Sequence, residues 1–342
     1  ASTVLSLGGP LILLRAATDG GGLRRRDMLD WALIRPAGLG VVVCLALSVA
    51  WPALPWVAII GAGVCINFLN CLASIMRGLG SIQLSMALRD AGPQVLLGVA
   101  GGFAGHAGAA TLMGFAAILM AVWGGFIGFW CLTKTTPLPR APGNPRPRCS
   151  ISLWGTSVLG SVIAQIDLLV GGAMLPRDDL GIYAVLRRVA NLIALPVSVA
   201  TWVSAGPVSA AFGANDMPKL RQASARGSQI AILSGGALFG VGLLCLPFVS
   251  YVFPTADFHS ATWVFAILLL GALVQVILAS SFTVATLCGL ARFAVQSRLA
   301  AVVIYLALVQ LVGAGMSPIT NALSYVAATS IGGLLLWHVL KT

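Results

Sequence analysis

The sequence predicts an all-α, polytopic membrane protein: two pseudo-symmetric six-helix bundles, of which about eleven transmembrane helices are present. Three observations predict it. The composition is 58% hydrophobic and 8% charged with a mean hydropathy of +0.98, whereas a soluble domain carries roughly a quarter charged residues. Apolar residues run continuously through segments that reach the roughly 20 residues a crossing helix needs. Fifteen of the twenty Lys and Arg fall in the connections on one side, which sets an orientation. A transmembrane barrel would instead show short stretches of alternating polarity.

Taken in order, segment 2–14 is short for a span. The chain opens Ala1-Ser2-Thr3 without Met, and it shows neither a basic leader nor a cleavage-type boundary, so it does not read as a signal peptide. The expectation is that the natural N-terminus, with at least one helix, is missing. Connection 15–30 holds Arg15, Arg24, Arg25 and Arg26. Segments 33–52 and 55–76 meet near 53 without a basic residue, and Arg77 lies in the next turn, 77–83. Segments 84–104 and 109–132 meet at 105–108 and lead into 133–150, with Lys134, Arg140, Arg146 and Arg148. Segments 151–174 and 181–209 meet at 175–180, where Arg177 is the one basic residue on that side. Connection 210–227 holds Lys219, Arg221 and Arg226. Segments 228–252 and 261–286 meet at 253–260, and 287–298 holds Arg292 and Arg298. Segments 296–314 and 319–340 meet at 315–318, and Lys341 closes the chain. The alternation holds throughout, and the positive-inside rule makes the basic set cytoplasmic. Insertion topology and contact with anionic membrane lipids account for the net charge of +11, so no nucleic-acid partner is expected.

Residues 133–150 contain five prolines and no apolar run, which reads as a cytoplasmic linker. It separates an N-terminal bundle, 1–132, from a C-terminal bundle, 151–342. A weak repeat relates them: Arg77-Gly78-Leu79-Gly80-Ser81-Ile82 resembles Cys288-Gly289-Leu290-Ala291-Arg292-Phe293, each closing the fourth helix of its half. A second echo pairs Asp19 to Arg26 with Asp216 to Arg226. Parallel repeats of this kind build secondary transporters, with the substrate path between halves. Pro36, Pro93, Pro196, Pro207 and Pro247 lie in or at the ends of segments, where a membrane helix tolerates a kink. The Gly-Gly pairs read equally as packing notches and as hinges.

Chemistry-bearing residues are few. All nine acidic residues are Asp. His106, His259 and His338 are far apart, and no acid–base set, metal pair or Cys-x-x-Cys is readable, which argues against an enzyme and against a cofactor or metal. The cysteines, mostly inside apolar segments, read as small core residues. Ionisable residues at membrane depth are therefore the functional candidates. Asp167 leads, in Ala164-Gln165-Ile166-Asp167, about two thirds along its helix. Arg187 or Arg188, early in the next helix, is placed to pair with it. Such a pair either locks the hairpin or carries function. Arg35 and Arg89-Asp90 form a second set, one to two turns inside their helices. They either snorkel to the interface or line a cationic cavity suited to an anionic headgroup, because Arg stays charged and binds phosphate bidentately. Asn67 and Asn70, one turn apart, either add hydrogen bonds there or join helices.

Gln165-x-Asp167-Leu168-Leu169-x-Gly171-Gly172, then Leu180-Gly181-Ile182-Tyr183-x-x-x-Arg187-Arg188, Pro196 and Pro207, resembles the seventh and eighth helices of Wzx-type polysaccharide (O-antigen) flippases. Arg77-Gly78-Leu79-Gly80 resembles the family's turn after its fourth helix. These flippases belong to the multidrug/oligosaccharidyl-lipid/polysaccharide exporter superfamily. The resemblance extends over the chain in topology and is sharp over 160–210. It implies two six-helix bundles around a V-shaped cavity, alternating access, a polyprenyl-pyrophosphate-linked oligosaccharide as substrate, and the bacterial cytoplasmic membrane, with polysaccharide polymerases as partners. It also implies that Arg35, Arg89, Arg187 and Arg188, with Asn67 and Asn70, face the substrate. Because the chain has no Glu, a coupling site must rest on Asp167, with Gln165 beside it, or on Asp90. A multidrug or lipid II exporter of the same superfamily shares these features. A membrane-embedded glycosyltransferase or ligase would need a large outer loop, and 253–260 is short.

The topology is tested by single cysteines in a Cys-less background. Arg25→Cys, Arg146→Cys and Lys219→Cys label only from the cytoplasm, and Asp257→Cys only from outside. Labelling of position 146 from outside overturns both the orientation and the helix count.

Overall fold

The computed structural model describes residues 2–18, 28–50, 56–78, 81–91, 95–96, 99–100, 102, 109–134, 151–248 and 258–341. Every regular element among them is helical. After a single turn, Ser2–Leu5, come α1 (Gly9–Thr18), α2 (Arg35–Ala50), α3 (Trp56–Gly78), α4 (Ile82–Met86) and α5 (Ala109–Lys134). They are followed by α6 (Ile151–Ile163), α7 (Ile166–Met174), α8 (Arg177–Asn191), α9 (Leu195–Gly213) and α10 (Met217–Leu244). The last three are α11 (Phe258–Leu287), α12 (Ala291–Val312) and α13 (Pro318–Lys341). Seven spans among the described residues are long and apolar enough to cross a bilayer, and eight when the bent pair α6–α7 is one span. Their outward faces carry fully apolar side chains, Val49 at 86% exposure and Leu311 at 83% among them. A water-facing surface would not hold such a band, while hydrocarbon accepts it without cost. The chain is a multi-pass membrane protein.

It divides into two compact units, Ala1–Ser157 and Val158–Thr342. In the first, α3 packs against α1, α2, α4 and α5. A π turn, Asp30–Ile34, leads into α2. Its cause is Pro36, which has no N–H and whose ring crowds the carbonyl four residues back. The Arg35 amide bonds Asp30 O. Asn67 of α3 donates to the displaced Ala32 carbonyl at 3.3 Å, and the Cys71 thiol faces Trp31 O at 3.9 Å. Ser85 ties α4 to α3 through Ala73 O, 2.6 Å.

In the second unit, α11 packs against α8, α10 and α13, and α12 lies along α13. Tyr183, Phe265, Leu268, Leu269 and Val276 make its core. Gly332 lets α12 and α13 touch: a Cβ there would lie 2.8 Å from Ala301 Cβ and 2.9 Å from Ser297 O. This Gly-Gly pair is a packing notch.

Several segment boundaries differ from the sequence expectation. Segment 2–14 is two helices, Ser2–Leu5 and Gly9–Thr18, so Arg15, expected in the connection, is helical. Segment 151–174 is two helices bent by 42°, because the Gln165 amide bonds Val162 O, three residues back, and the α ladder restarts beyond it. Asp167 thus lies in the first turn of α7 and not two thirds along one helix. Segment 181–209 begins at Arg177 and continues through a 3-10 turn, Leu192–Ala194, into α9, so Arg187 and Arg188 lie at the end of α8. Segment 228–252 starts earlier, at Met217, because Asp216 caps the helix by accepting the Lys219 amide at 3.1 Å and proline stands in its first turn. Lys219, Arg221 and Arg226 are therefore helical. Segment 296–314 also starts earlier, at Ala291, because Gly289, at φ +80°, ends the preceding helix. Arg298, expected in the connection, is two turns inside α12. Residues 135–150, most of the expected linker, and Leu79, Gly80 and Pro93 lie outside the described residues.

Overpacking a filled site costs roughly 1–3 kcal/mol. Gly332→Val is expected to lower the thermal unfolding midpoint in detergent. Gly236→Val, at a position with open space around it, is expected to leave the midpoint unchanged.

A buried ion pair and an arginine-lined cavity

Tyr183, Arg187 and Asn191 recur every fourth residue on α8, so they share one face, and Arg188 is rotated roughly 100° away from it. That face meets the first turn of α7. Arg187 Nε donates to Asp167 Oδ2 at 2.8 Å, and the Tyr183 hydroxyl donates to the same oxygen at 2.8 Å. Asp167 is 0% exposed and Arg187 4%. Arg187 Nη1 also donates to Asn191 Oδ1, and the Tyr325 ring of α13 lies under the guanidinium, 4.2 Å from its centroid. Asn321, one turn before Tyr325, donates from Nδ2 to the Asp167 carbonyl at 3.1 Å and accepts the Tyr305 hydroxyl on Oδ1 at 2.7 Å. Four helices are thus joined by one network around Asp167. Its other oxygen, Oδ1, is buried and has no hydrogen-bond partner among the described residues.

Beside this cluster is a cavity of about 380 Å³, walled by α6, α9, α11, α12 and α13. Arg298 is the one charged residue among its described lining residues. The guanidinium rests over the Phe282 ring, 4.8 Å from its centroid. It occupies the space that a side chain at position 160 would fill, since a Cβ on Gly160 would come within 2.9 Å of Arg298 Cζ. Tyr325 lines the same cavity, and its hydroxyl accepts Gln275 Nε2 at 3.3 Å.

Of the two expected partners for Asp167, the structure joins Arg187 to it and leaves Arg188 exposed. Gln165 is an exposed residue at the break between α6 and α7. In the first unit, Arg35 pairs with Asp30 at 2.8 Å, half-exposed, and stacks on buried Trp31 at 4.2 Å. Arg89 is exposed in a π turn, Ala87–Ala91, and the Asp90 side chain lies outside the described set. Asn67 joins α3 to the π turn, and the Asn70 carbonyl accepts the Ser74 hydroxyl at 2.9 Å. No group of three His, Cys, Asp or Glu among the described residues is placed to hold a metal. The sequence reading passed over Asn191, Tyr305, Asn321, Tyr325 and Arg298. Four-residue spacing was the available signal for 183/187/191 and for 321/325. Gly289 was the signal for Arg298, because ending one helix there starts the next early enough to draw Arg298 inside.

No family model matches the sequence, and no curated protein matches it. Solved structures do. One is an outward-facing multidrug resistance MATE family transporter of the MOP superfamily, 14% identical, covering 99% of this chain and 84% of that one with a TM-score of 0.75. Another is a MATE structure in the straight conformation, 13% identical, 99% and 85% covered, TM-score 0.72. A third is a MOP superfamily transporter from Pyrococcus furiosus, described as having a binding pocket of reverse polarity, 13% identical, 99% and 85% covered, TM-score 0.71. At such identities the likeness shows the fold.

Removing one member of a buried pair costs roughly 3–5 kcal/mol in soluble proteins. Asp167→Asn and Arg187→Gln are each expected to lower the unfolding midpoint and the yield of monodisperse protein on gel filtration, and the double variant to recover both. Rescue of Asp167→Asn by Arg188→Gln instead would overturn the pairing.

Proposed function

We propose that this chain is a membrane transporter that flips a polyprenyl-pyrophosphate-linked oligosaccharide across the bacterial cytoplasmic membrane by alternating access. The observation that carries the transport reading is the fold, which matches solved transporters along nearly the whole chain. The cargo reading rests on charge. Twenty basic residues face nine acidic ones, several of the arginines sit in apolar helices, and Arg is the side chain best matched to phosphoryl oxygens. Arg35, Arg89 and Arg188, with exposed side chains, are the positions we assign to contact with the anionic cargo. Arg187 is held by Asp167, so its removal disturbs structure first. Asn67 supports the turn that leads to Arg35, Asn70 is proposed to add a hydrogen bond to the cargo, and Asp167 or Asp90 is the proposed coupling residue. Polysaccharide polymerases are the expected neighbours in the membrane. A multidrug exporter is the second reading, favoured by the description of one structural neighbour.

Expression in a strain lacking its polysaccharide flippase separates the two readings. Restored surface glycan, with Arg→Ala at a contact position abolishing it at unchanged protein level and Arg→Lys retaining part, is the expected result. Raised drug tolerance without restored glycan moves the assignment to multidrug export. Full glycan display by all the Ala variants removes these arginines from the cargo route.

A further inference from the structure

We infer that the C-terminal unit contains its own binding site for a phosphoryl group, centred on Arg298. The cavity there has a volume of about 380 Å³, within the range of about 300–1,000 Å³ typical of small-ligand sites. Its one charged wall is a guanidinium, planar and permanently charged, which meets a phosphoryl group through two parallel N–H donors. Neutral polar groups complete the lining. Thr201 and Thr283 meet at 3.5 Å on one wall, with the Thr283 hydroxyl donating to Ala279 O at 3.3 Å, and Ser198 and the Tyr325 hydroxyl, which accepts Gln275 Nε2, lie on adjoining walls. The guanidinium is the one charge among the described lining residues, and its sign suits an oxyanion.

Arg298 is built into this position. It lies seven residues after the start of α12, about 10 Å along the axis at 1.5 Å per residue. A central membrane Arg costs roughly 2.5–3.5 kcal/mol on insertion scales. Gly160 supplies the space for the guanidinium and Phe282 supplies a π face beneath it. Much of the remaining wall, Ile163, Leu278 and Ala301 included, is apolar. A ligand that presents a phosphoryl oxyanion and continues into something apolar satisfies both kinds of wall. That describes a lipid phosphate, and a free phosphate compound offers the same oxyanion without the tail. Assigning the cargo's own pyrophosphate to this site rests on the proposed function; the site itself does not.

The test uses the full chain in lipid nanodiscs, with binding read by native mass spectrometry and by thermal shift. The probes are a polyprenyl phosphate, the matching neutral polyprenol, and inorganic pyrophosphate. The expected result is saturable binding of the polyprenyl phosphate, weakened tenfold or more by Arg298→Gln and partly kept by Arg298→Lys. The neutral polyprenol is expected to bind all three proteins alike. Gly160→Val, which crowds the guanidinium without removing it, is expected to weaken the same probe and gives a second reading if Arg298→Gln is poorly folded. Inorganic pyrophosphate binding as tightly as the lipid, and lost in Arg298→Gln, would support the oxyanion site and overturn the lipid as its source. Unchanged lipid phosphate binding in both variants, or no binding of either phosphate probe, overturns the site. Arg298→Gln is also scored for glycan display. Phosphate binding that depends on Arg298, with no glycan display by the wild-type chain, supports the site and sinks the glycan transport reading alone. Glycan display unaffected by Arg298→Gln, with binding lost, supports the site and removes it from the cargo route.

Discussion

The buried pair of Asp167 and Arg187 constrains everything around it in the C-terminal unit. Neither charge is tolerable alone in a membrane-spanning bundle, and pairing them leaves donors and acceptors that each cost free energy if unmatched. Matching them requires particular partners at particular heights. Tyr183 and Asn191 must stand one turn to either side of Arg187. Asn321 must reach the Asp167 carbonyl, and Tyr305 must reach Asn321. These demands fix the rotation of α8, α12 and α13 about their axes and their height relative to α7. Apolar packing in lipid distinguishes such registers poorly, because tails and side chains are equally apolar. Directional hydrogen bonds therefore set the register here.

The fold class was legible because a membrane forces it: continuous apolar runs, scarce charge and a basic set on one side admit only helices. Asp167 was legible for the same reason, as a carboxylate stranded in an apolar run. What escaped were features that depend on phase and on helix ends. The choice between Arg187 and Arg188 turns on one 100° step along α8. The break at Gln165 contains neither Pro nor Gly, and it lies in the one-residue switch of the Gln165 amide to Val162 O. Arg298 was misplaced because an apolar window begins only beyond Ala291-Arg292-Phe293, while the helix begins with them. Charge near a segment end is ambiguous in this way, since a basic residue two turns inside a helix and one in the turn before it look alike to a window.

The N-terminal unit handles its arginine differently. Arg35 keeps its charge at a half-exposed position beside Asp30 and over Trp31, a geometry that screening and solvation make weak. Its backbone is the more specified part, since Pro36 displaces the ladder and Asn67 takes up the freed carbonyl. One unit thus fixes its geometry through side-chain charge and the other through backbone irregularity.

Tyr325 touches the ion pair with its ring face and the cavity with its hydroxyl. A rigid phenol has one orientation to offer to both. Any occupant of the cavity that reorients this ring changes how well Arg187 is solvated by it, and any change at the pair changes the wall that the occupant meets. Reciprocity makes the two effects equal in free energy. Affinity on one side of the ring and cohesion of four helices on the other are then linked through one side chain.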